Sequence, residues 1–409
     1  MKPTESTPAA RRLLIGLIFF AIALNYVDRQ VLALLKPTLE AEFGWSDQEY
    51  GYLGTAFQIA AAFSFLFVGW IVDRFGVRRA LGWGVALWSL FGMAHALAST
   101  VAQFVAARVA LAAAETVGTP AAVKSAAVYL PLKERSFALG LGNTAPNIGA
   151  IVTPLLIPPL ALAFGWRAAF IVCGAIGFVW LAAWVVGTRN LVPIAREGKA
   201  ATETATVPVG EIVRDRRTWA VLGAKLLSDQ AWFFLLFWMP DFFQKQFGMK
   251  QADLGGPVAV AYTLAALGAL SSGLLFPALI GRGWSVNRAR KSSMLFYACI
   301  ILSMPLALYT ASPWTAALVI GAALFAHQGF STNIFGMTAD IVPTRQVATV
   351  IGFGAVGGNL SGAAMIAFAG WALTNGHGYW PMFAICGGAY LAATAWVHLL
   401  LPRLVVAED

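Results

Sequence analysis

The sequence predicts an all-α integral membrane protein with twelve transmembrane helices in two pseudo-symmetric halves of six. Of its 409 residues, 59% are hydrophobic and only 11% are charged, whereas a soluble domain carries about 25% charged residues. Apolar runs that are long enough to cross a bilayer, about 20 residues each, recur along the whole chain. The net charge of +9 does not indicate nucleic-acid binding, because the basic residues are concentrated in short loops.

Each predicted span is an apolar run of helical length that ends at charged or turn-forming residues. The first run is interpreted as a retained span and not as a signal peptide, because no small-residue cleavage site follows it. The predicted spans are 13–36, 48–71, 80–98, 101–129, 136–160, 167–188, 218–245, 254–280, 292–310, 314–341, 347–373 and 380–401.

The division into halves follows from the longest loop and from an internal repeat. A polar linker at 189–217 separates a half at 1–188 from a half at 218–409. Residues 212 positions apart match without a gap at Pro131 and Pro343, Gly140 and Gly352, Gly142 and Gly354, and Asn147 and Asn359. Paired six-span halves with a site between them near the midplane are a known transporter plan.

Charge predicts the orientation. Most of the 28 lysines and arginines lie in loops on the side of both termini, and only Lys36, Arg167, Lys245 and Lys250 lie in loops on the other side. Cytoplasmic loops carry the excess of basic residues. Both termini are therefore expected in the cytoplasm.

A motif between predicted spans two and three carries the first family resemblance. The segment Gly69-Trp70-Ile71-Val72-Asp73-Arg74-Phe75-Gly76-Val77-Arg78-Arg79 resembles the loop motif of the major facilitator superfamily. The resemblance implies the major facilitator fold and a gate on the cytoplasmic side, with a loop that latches the two halves. The implied gate residues are Gly69, Asp73, Arg74, Gly76 and Arg78. The alternative is a basic topology determinant, and the equivalent second-half stretch at 281–284 has lost the acidic residue.

Charged residues inside two predicted spans mark the candidate binding and coupling site. Asp28 and Arg29 lie side by side in span one, and Arg108 and Glu115 lie two helical turns apart on one face of span four. Each such charge costs about 2.5–3.5 kcal/mol on insertion scales, so it usually faces water or an internal partner. The Arg29 guanidinium suits a carboxylate, and Tyr26 on the same helical face is expected to hold a ligand hydroxyl.

Proton coupling is predicted for the two acids of this group. Burial and a neighbouring arginine act in opposite directions on the protonation of a carboxyl group. Asp28 and Glu115 are therefore the predicted proton carriers. Protonated Glu115 would no longer compete for Arg108, which could then attract an anion. The alternative is that these residues form structural ion pairs only.

Polar residues in other spans extend the candidate site. Lys225 and Asp229 lie four residues apart, which fits a substrate contact or an intrahelical ion pair equally well. Amides in apolar helices serve either a pocket or interhelical packing, and Asn147 and Asn359 are expected to face each other across a pseudo-two-fold axis. The candidate amides are Gln58, Asn143, Asn147, Asn333 and Asn359.

A closer resemblance rests on these positions. Tyr26-x-Asp28-Arg29, with Arg108 and Glu115, resembles the anion:cation symporter family, whose members carry sugar acids and other organic anions. The segment 225–241, with its Trp-Phe-rich run ending in Trp238-Met239-Pro240, resembles the hexuronate transporter branch. The resemblance implies a transporter of a hexuronate or a related sugar acid.

The sequence thus predicts a proton-coupled symporter of a small organic anion in a bacterial inner membrane, acting by alternating access. The expected partners are the anion, protons as coupling ion, and the lipid bilayer, with no cofactor, no metal and no nucleic acid. A monomer is expected. The glycine-rich stretches lack a Walker lysine, which argues against an ATP-driven pump, and no catalytic cluster indicates an enzyme. A proton-independent anion exchanger and a non-transporting receptor for the same ligand remain alternatives.

Overall fold

The computed structural model describes residues 6–193 and 209–406, and within these ranges the chain forms helices and no strand. Residues 194–208 of the predicted linker lie outside the described residues. The α-helices are α1 (Pro8–Phe43), α2 (Asp47–Phe75), α3 (Val77–Ala94), α4 (Val101–Glu115), α5 (Gly118–Tyr129), α6 (Leu132–Phe164), α7 (Trp166–Gly187), α8 (Val209–Arg214), α9 (Arg216–Phe247), α10 (Gly255–Gly281), α11 (Val286–Ile301), α12 (Pro313–Ile341), α13 (Thr344–Thr374) and α14 (Trp380–Leu400).

Twelve helical segments of the described chain are long and apolar enough to cross a membrane, as predicted. One of them, Val101–Tyr129, consists of α4 and α5 with a break at Thr116 and Val117. The predicted span 101–129 is confirmed as one segment of membrane-spanning length, although its helix is interrupted at these two residues. Pro120 explains the break, because proline has no N–H for the carbonyl four residues earlier, which is that of Thr116.

The connection between spans two and three is shorter than the sequence predicts. α2 continues to Phe75 and α3 begins at Val77, so only Gly76 separates them. Gly76 has φ +77°, a conformation that glycine adopts without steric cost. The hydropathy pattern ends at the charged residues, but the helices continue through them because charged residues at a helix end can still form backbone hydrogen bonds.

The helices pack into two units. Among the described residues, unit one comprises 6–38 and 63–193, and unit two comprises 39–62 and 209–406. In unit one α3 packs against α7, and a Cβ at Gly174 would lie 2.7 Å from the Ser89 carbonyl oxygen. In unit two α9 packs against α13, where a Cβ at Gly354 would lie 3.1 Å from Cγ of Lys225. Small residues permit such close approach between membrane helices.

Unit two includes a segment that the sequence assigns to the first half. In Leu39–Ala62, the Tyr50 hydroxyl donates to the Phe237 carbonyl at 2.8 Å, and the backbone N–H of Gln48 donates to Thr374 Oγ1 at 2.9 Å. The division of the sequence into halves at 1–188 and 218–409 remains a prediction. Packing instead assigns the first part of α2 to unit two.

Candidate functional site

Four buried charged residues of unit one form what we call the α1–α4 charge cluster: Asp28, Arg29, Arg108 and Glu115. Asp28 and Arg29 are each 8% exposed, Glu115 is 2% exposed and Arg108 is fully buried. The helix α1 is continuous through Asp28 and Arg29. The apolar residues on either side keep it helical, so the two charges project from a regular backbone.

The central contact of the cluster is an ion pair between α1 and α4. Arg29 Nε lies 2.9 Å from Glu115 Oε2. The sequence places Glu115 on the same helical face as Arg108 and does not predict this contact with Arg29. Arg108 donates to the backbone carbonyls of Arg29 at 3.1 Å and Asp28 at 3.5 Å. Glu115 can reach α1 because it is the last residue of α4, where its own carbonyl also accepts from Asn25 Nδ2 at 3.4 Å.

Tyr26 lies beside the cluster, as predicted. The Arg29 guanidinium carbon is 5.1 Å from the centre of the Tyr26 ring, within the range of a cation–π contact. Helix α6 approaches here, since a Cβ at Gly149 would lie 3.0 Å from Cβ of Tyr26. On α6, Asn147 is fully buried, whereas the side chain of Asn143 lies outside the described residues.

The cluster can bind a carboxylate and hold a proton. Arg29 already binds a carboxylate, that of Glu115, through one edge of its guanidinium. Glu115 Oε1 is buried and has no hydrogen-bond partner among the described residues. A buried acceptor without a donor costs about 1–3 kcal/mol. A proton on Glu115 would remove the charge that holds Arg29, so the two chemical events are linked at one contact.

Two further predicted residues meet in unit two. Lys225 Nζ lies 2.8 Å from Asp229 Oδ2 and donates to Ser331 Oγ at 3.1 Å. Ser228 Oγ donates to Asp229 Oδ1 at 3.3 Å. Of the two possibilities that the spacing left open, the intrahelical ion pair is present.

The three candidate amides of unit two have separate environments and do not form one cluster around the Lys225–Asp229 pair. Asn333 accepts from Arg290 Nη1 at 3.0 Å and donates to the Arg290 carbonyl at 2.9 Å, so it joins α11 to α12. Asn359 donates to the carbonyl of Ala355 in its own helix at 2.8 Å. Gln58 is fully buried, and neither amide atom has a hydrogen-bond partner in the described part of the chain.

Sequence reasoning missed several buried polar groups. Gln30 directly follows Arg29, is fully buried, and has no hydrogen-bond partner for either amide atom among the residues described. Its position next to two charged residues of an apolar helix could have identified it as a candidate site residue. His327 Nδ1 lies 2.6 Å from the Tyr390 hydroxyl, which donates to the Ser228 carbonyl at 2.7 Å. No spacing rule links these three residues, because they lie on three helices.

One carboxylate cluster lies outside the predicted sites. Glu40, Asp47 and Asp241 have carboxylate oxygens within 4.8 Å of one another. Lys245 Nζ lies 2.5 Å from Asp47 and 3.3 Å from Asp241, and the Tyr379 hydroxyl donates to Asp241. An ammonium group and a phenol hydroxyl already bind carboxylate oxygens of this cluster, so we assign it no metal.

The predicted gate residues connect helices of unit one. Asp73 Oδ1 lies 2.5 Å from Lys124 Nζ, which also donates to the Val72 carbonyl at 3.3 Å. Arg78 Nη2 donates to the Val185 carbonyl at 3.1 Å. The sequence does not predict the ion pair of Lys124 with Asp73. The pair ties the end of α2 to α5, while the gating role of the motif remains a prediction.

We expect Asp73→Asn to slow turnover and to preserve ligand affinity, because the residue holds helix ends and lies outside the α1–α4 charge cluster. Exposed ion pairs contribute about 0.2–1 kcal/mol, so the slowing should be at most roughly fivefold. The measurement is the rate of counterflow exchange at saturating ligand, with affinity measured in parallel. Lys124→Met should slow exchange equally, and the double variant should be no slower than either. Normal exchange by Asp73→Asn would contradict the gating role.

This fold, with charged residues buried inside membrane-length helices, is that of a multi-pass membrane protein. The model of the Major Facilitator Superfamily matches residues 18–363, and the chain belongs to that superfamily. A solved structure with the same fold is a bacterial homologue of the human lysosomal transporter Spinster, with a TM-score of 0.77, 18% identity and coverage of 98% of each chain.

Among individual proteins, the chain is similar to several transporters from Escherichia coli. It is 28% identical to the Hexuronate transporter of strain K12, over 97% of this chain and 96% of that protein. It is 28% identical to the Probable L-galactonate transporter of the same strain, over 95% of this chain and 88% of that protein. It is 26% identical to the D-galactonate transporter of strain O6:H1, over 98% of this chain and 97% of that protein.

Proposed function

We propose that the protein is a proton-coupled symporter that imports a small organic anion by alternating access. The proposed substrate is a hexuronate or a related sugar acid, such as glucuronate, galacturonate or an aldonate. The observation that carries the proposal is the buried Arg29–Glu115 ion pair at 2.9 Å. The names of the similar transporters, which refer to hexuronate and galactonate, support the substrate class.

Arg29 is the proposed anchor for the substrate carboxylate. A guanidinium binds a carboxylate through two parallel hydrogen bonds. The Glu115 carboxylate takes the Arg29 Nε in the structure, so an ionised Glu115 and a bound substrate compete for one guanidinium. Tyr26, which borders Arg29, supplies a hydroxyl for the sugar.

Competition for Arg29 provides the coupling. A proton that neutralises Glu115 releases Arg29, so proton binding and anion binding favour each other by the same factor. The loaded protein carries both ligands, and the empty protein restores the Arg29–Glu115 pair. Asp28 is the second proposed proton carrier, because it is the other buried acid of the cluster.

The charge count of the cluster fits a singly charged substrate. With both acids ionised, the cluster contains two positive and two negative groups and is neutral. A proton on Glu115 leaves one net positive charge, which matches one carboxylate, and a second proton on Asp28 would add one net positive charge to each transport cycle. When a proton and an anion cross the membrane together, their opposite charges compensate each other and avoid the free-energy penalty of an unpaired charge in a low-dielectric region.

The proposed location is a bacterial inner membrane, with both termini in the cytoplasm. The distribution of lysine and arginine over the loops supports this orientation. The proposed working form is a monomer, and protons are the only coupling ion that the mechanism requires.

Uptake of labelled glucuronate, galacturonate and galactonate into proteoliposomes, with and without an inward proton gradient, tests the proposal. Accumulation that requires the gradient is expected. Exchange of these anions without any response to the gradient would favour a proton-independent exchanger. Saturable binding without transport would favour a receptor.

We expect acetate and lactate to compete poorly with the sugar acids. A sugar acid offers several hydroxyls besides its carboxylate, and buried amides such as Gln58 remain unpaired when a short acid binds. Each unpaired group costs about 1–3 kcal/mol. The concentration of unlabelled acid that halves galacturonate exchange is the measurement. Equal competition by lactate and glucuronate would refute the sugar-acid assignment.

A further inference from the structure

A groove lies between helices α3 and α7 of unit one, and we call it the α3–α7 groove. The start of α3 lies beside the end of α7, since Trp184 Nε1 donates to the Arg78 carbonyl at 3.0 Å. The groove contains a cavity of about 360 Å³. Its lining includes Arg79, Gly82, Trp83 and Ala86 of α3 with Leu181 and Val185 of α7. These α3 residues share one face of the helix over two turns, because their spacing is i, i+3, i+4 and i+7.

Helix packing does not require the opening at Gly82. A Cβ at this residue would lie 3.6 Å from Cδ1 of Trp184, which is an ordinary van der Waals distance. At Gly84, in contrast, a Cβ would overlap Cγ1 of Val117, so α3 needs that glycine to pack. Glycine inside a helix is destabilising relative to alanine. The missing side chain of Gly82 therefore has one evident structural effect, which is to keep the groove open.

One end of the groove is positively charged. Arg79 is exposed and has no hydrogen bond or ion pair with another described residue. Arg78 also lines the groove, and its Nη2 donates to the Val185 carbonyl at 3.1 Å. Among the described residues, the lining contains no acidic side chain. The groove therefore presents two guanidinium groups to an occupant, without a carboxylate of its own to neutralise them.

Exposed aromatic rings indicate the depth of this charged end in the membrane. The Phe75 ring centre lies 6.3 Å from that of Trp70 and 5.3 Å from that of Trp83, and all three side chains are exposed. Tryptophan is enriched at the interface between membrane and water. The arginines therefore lie at the level of the lipid headgroups. Ala86 lies two turns farther along the membrane-length helix α3, so the apolar part of the groove lies among the lipid chains.

We propose that the α3–α7 groove binds one anionic phospholipid with the chemistry of phosphatidylglycerol. The headgroup phosphate pairs with Arg79 and Arg78, and one acyl chain lies over Gly82 and Ala86. A guanidinium matches the geometry of a phosphate, and basic pockets between membrane helices suit anionic headgroups. A zwitterionic lipid brings its own cationic group, for which the described lining offers no acid. The groove therefore selects a headgroup with net negative charge.

Native mass spectrometry of the full chain in detergent tests the headgroup assignment. The protein is titrated with phosphatidylglycerol or phosphatidylcholine that carry the same acyl chains. The wild type should bind one phosphatidylglycerol at least tenfold more tightly than phosphatidylcholine. Arg79→Gln should weaken phosphatidylglycerol binding roughly tenfold, because a charge-assisted hydrogen bond to the phosphate is lost. Its affinity for phosphatidylcholine should change little.

The matched control is Arg282→Gln in unit two. Arg282 is also exposed, and among the described residues its side chain bonds only to the Ala278 carbonyl of its own helix, at 3.2 Å. This variant should bind phosphatidylglycerol like the wild type. Equal binding of the two lipids by the wild type would overturn the proposal, and so would an unchanged preference in Arg79→Gln.

Gly82→Leu tests the position of the acyl chain, since both arginines remain. The leucine side chain would fill the groove, displace methylene groups of the lipid and weaken phosphatidylglycerol binding roughly tenfold. If Gly82→Leu does not fold, Ala86→Leu fills the groove one turn farther along α3 and should have the same effect. Unchanged affinity in the filled groove would overturn the proposal.

A last arm separates the lipid from a free phosphate ester. An excess of sn-glycerol 3-phosphate has the anionic group without the acyl chains, and it should not displace bound phosphatidylglycerol. Displacement would show that the arginines bind a soluble anion and would overturn the lipid assignment.

Discussion

Replacing Glu115 with glutamine should abolish proton-driven accumulation of the sugar acid while counterflow exchange continues. Glutamine resembles the protonated acid, so it cannot hold Arg29 as an ion pair at 2.9 Å and cannot carry a proton. Arg29 then stays available to the anion at every pH. Because anion binding is no longer linked to a proton through competition for Arg29, the gradient cannot drive uptake.

The pH dependence of exchange provides a second readout for Glu115→Gln. In the wild type, apparent affinity for the anion should fall as pH rises, because ionised Glu115 competes for Arg29. In Glu115→Gln this competition is absent, and the fall should be much smaller. Asp340→Asn, an acid of unit two that pairs with Arg290, is the matched control and should retain accumulation. Full concentrative uptake by both Glu115→Gln and Asp28→Asn would remove these acids from the proton path.

Replacing Arg29 with lysine should weaken sugar-acid binding by roughly a hundredfold, although the positive charge remains. Lysine presents a point charge in place of the planar fork. Loss of a hydrogen bond to a charged group costs about 1.5–3 kcal/mol, which corresponds to roughly 10- to 150-fold in affinity. The same lysine can still pair with Glu115, so the protein should fold and reach the membrane.

Affinity of Arg29→Lys can be measured as the concentration of galacturonate that half-protects the purified protein against thermal unfolding. Arg78→Lys is the control, because Arg78 bonds to the Val185 carbonyl at the end of the helices and lies outside the charge cluster. It should bind galacturonate normally. Near-wild-type affinity of Arg29→Lys would rule out Arg29 as the main anchor.

The number of spans and the charged helices could be predicted from sequence because they depend on local composition. An apolar run of about 20 residues indicates a membrane-spanning helix, and charged residues stand out within it. The residues Asp28, Arg29, Arg108 and Glu115 were identified in this way. The structure brings them together as expected.

The contact of Glu115 with Arg29 could not be predicted. The seven-residue spacing to Arg108 suggested a shared face, but the contact depends on how α4 is rotated and where it ends. The break at Thr116 and the position of α1 decide that Glu115 meets Arg29. Neither is encoded in the periodicity of α4 alone.

The amides illustrate the same limit. Asn333 and Gln58 are both polar residues in apolar helices, and their local sequences do not distinguish them. In the structure Asn333 accepts a hydrogen bond from Arg290 on α11, whereas the Gln58 amide has no hydrogen-bond partner among the described residues. Only the neighbouring helix determines which amide is used for packing.

Proton movement with the substrate is the central claim, and the lumenal pH of proteoliposomes tests it most directly. Vesicles containing the protein and a trapped pH-sensitive dye are mixed with galacturonate, with no imposed proton gradient. Symport predicts that the lumen acidifies as galacturonate enters, and that Glu115→Gln vesicles do not acidify. Entry of labelled galacturonate into wild-type vesicles without acidification would contradict proton coupling.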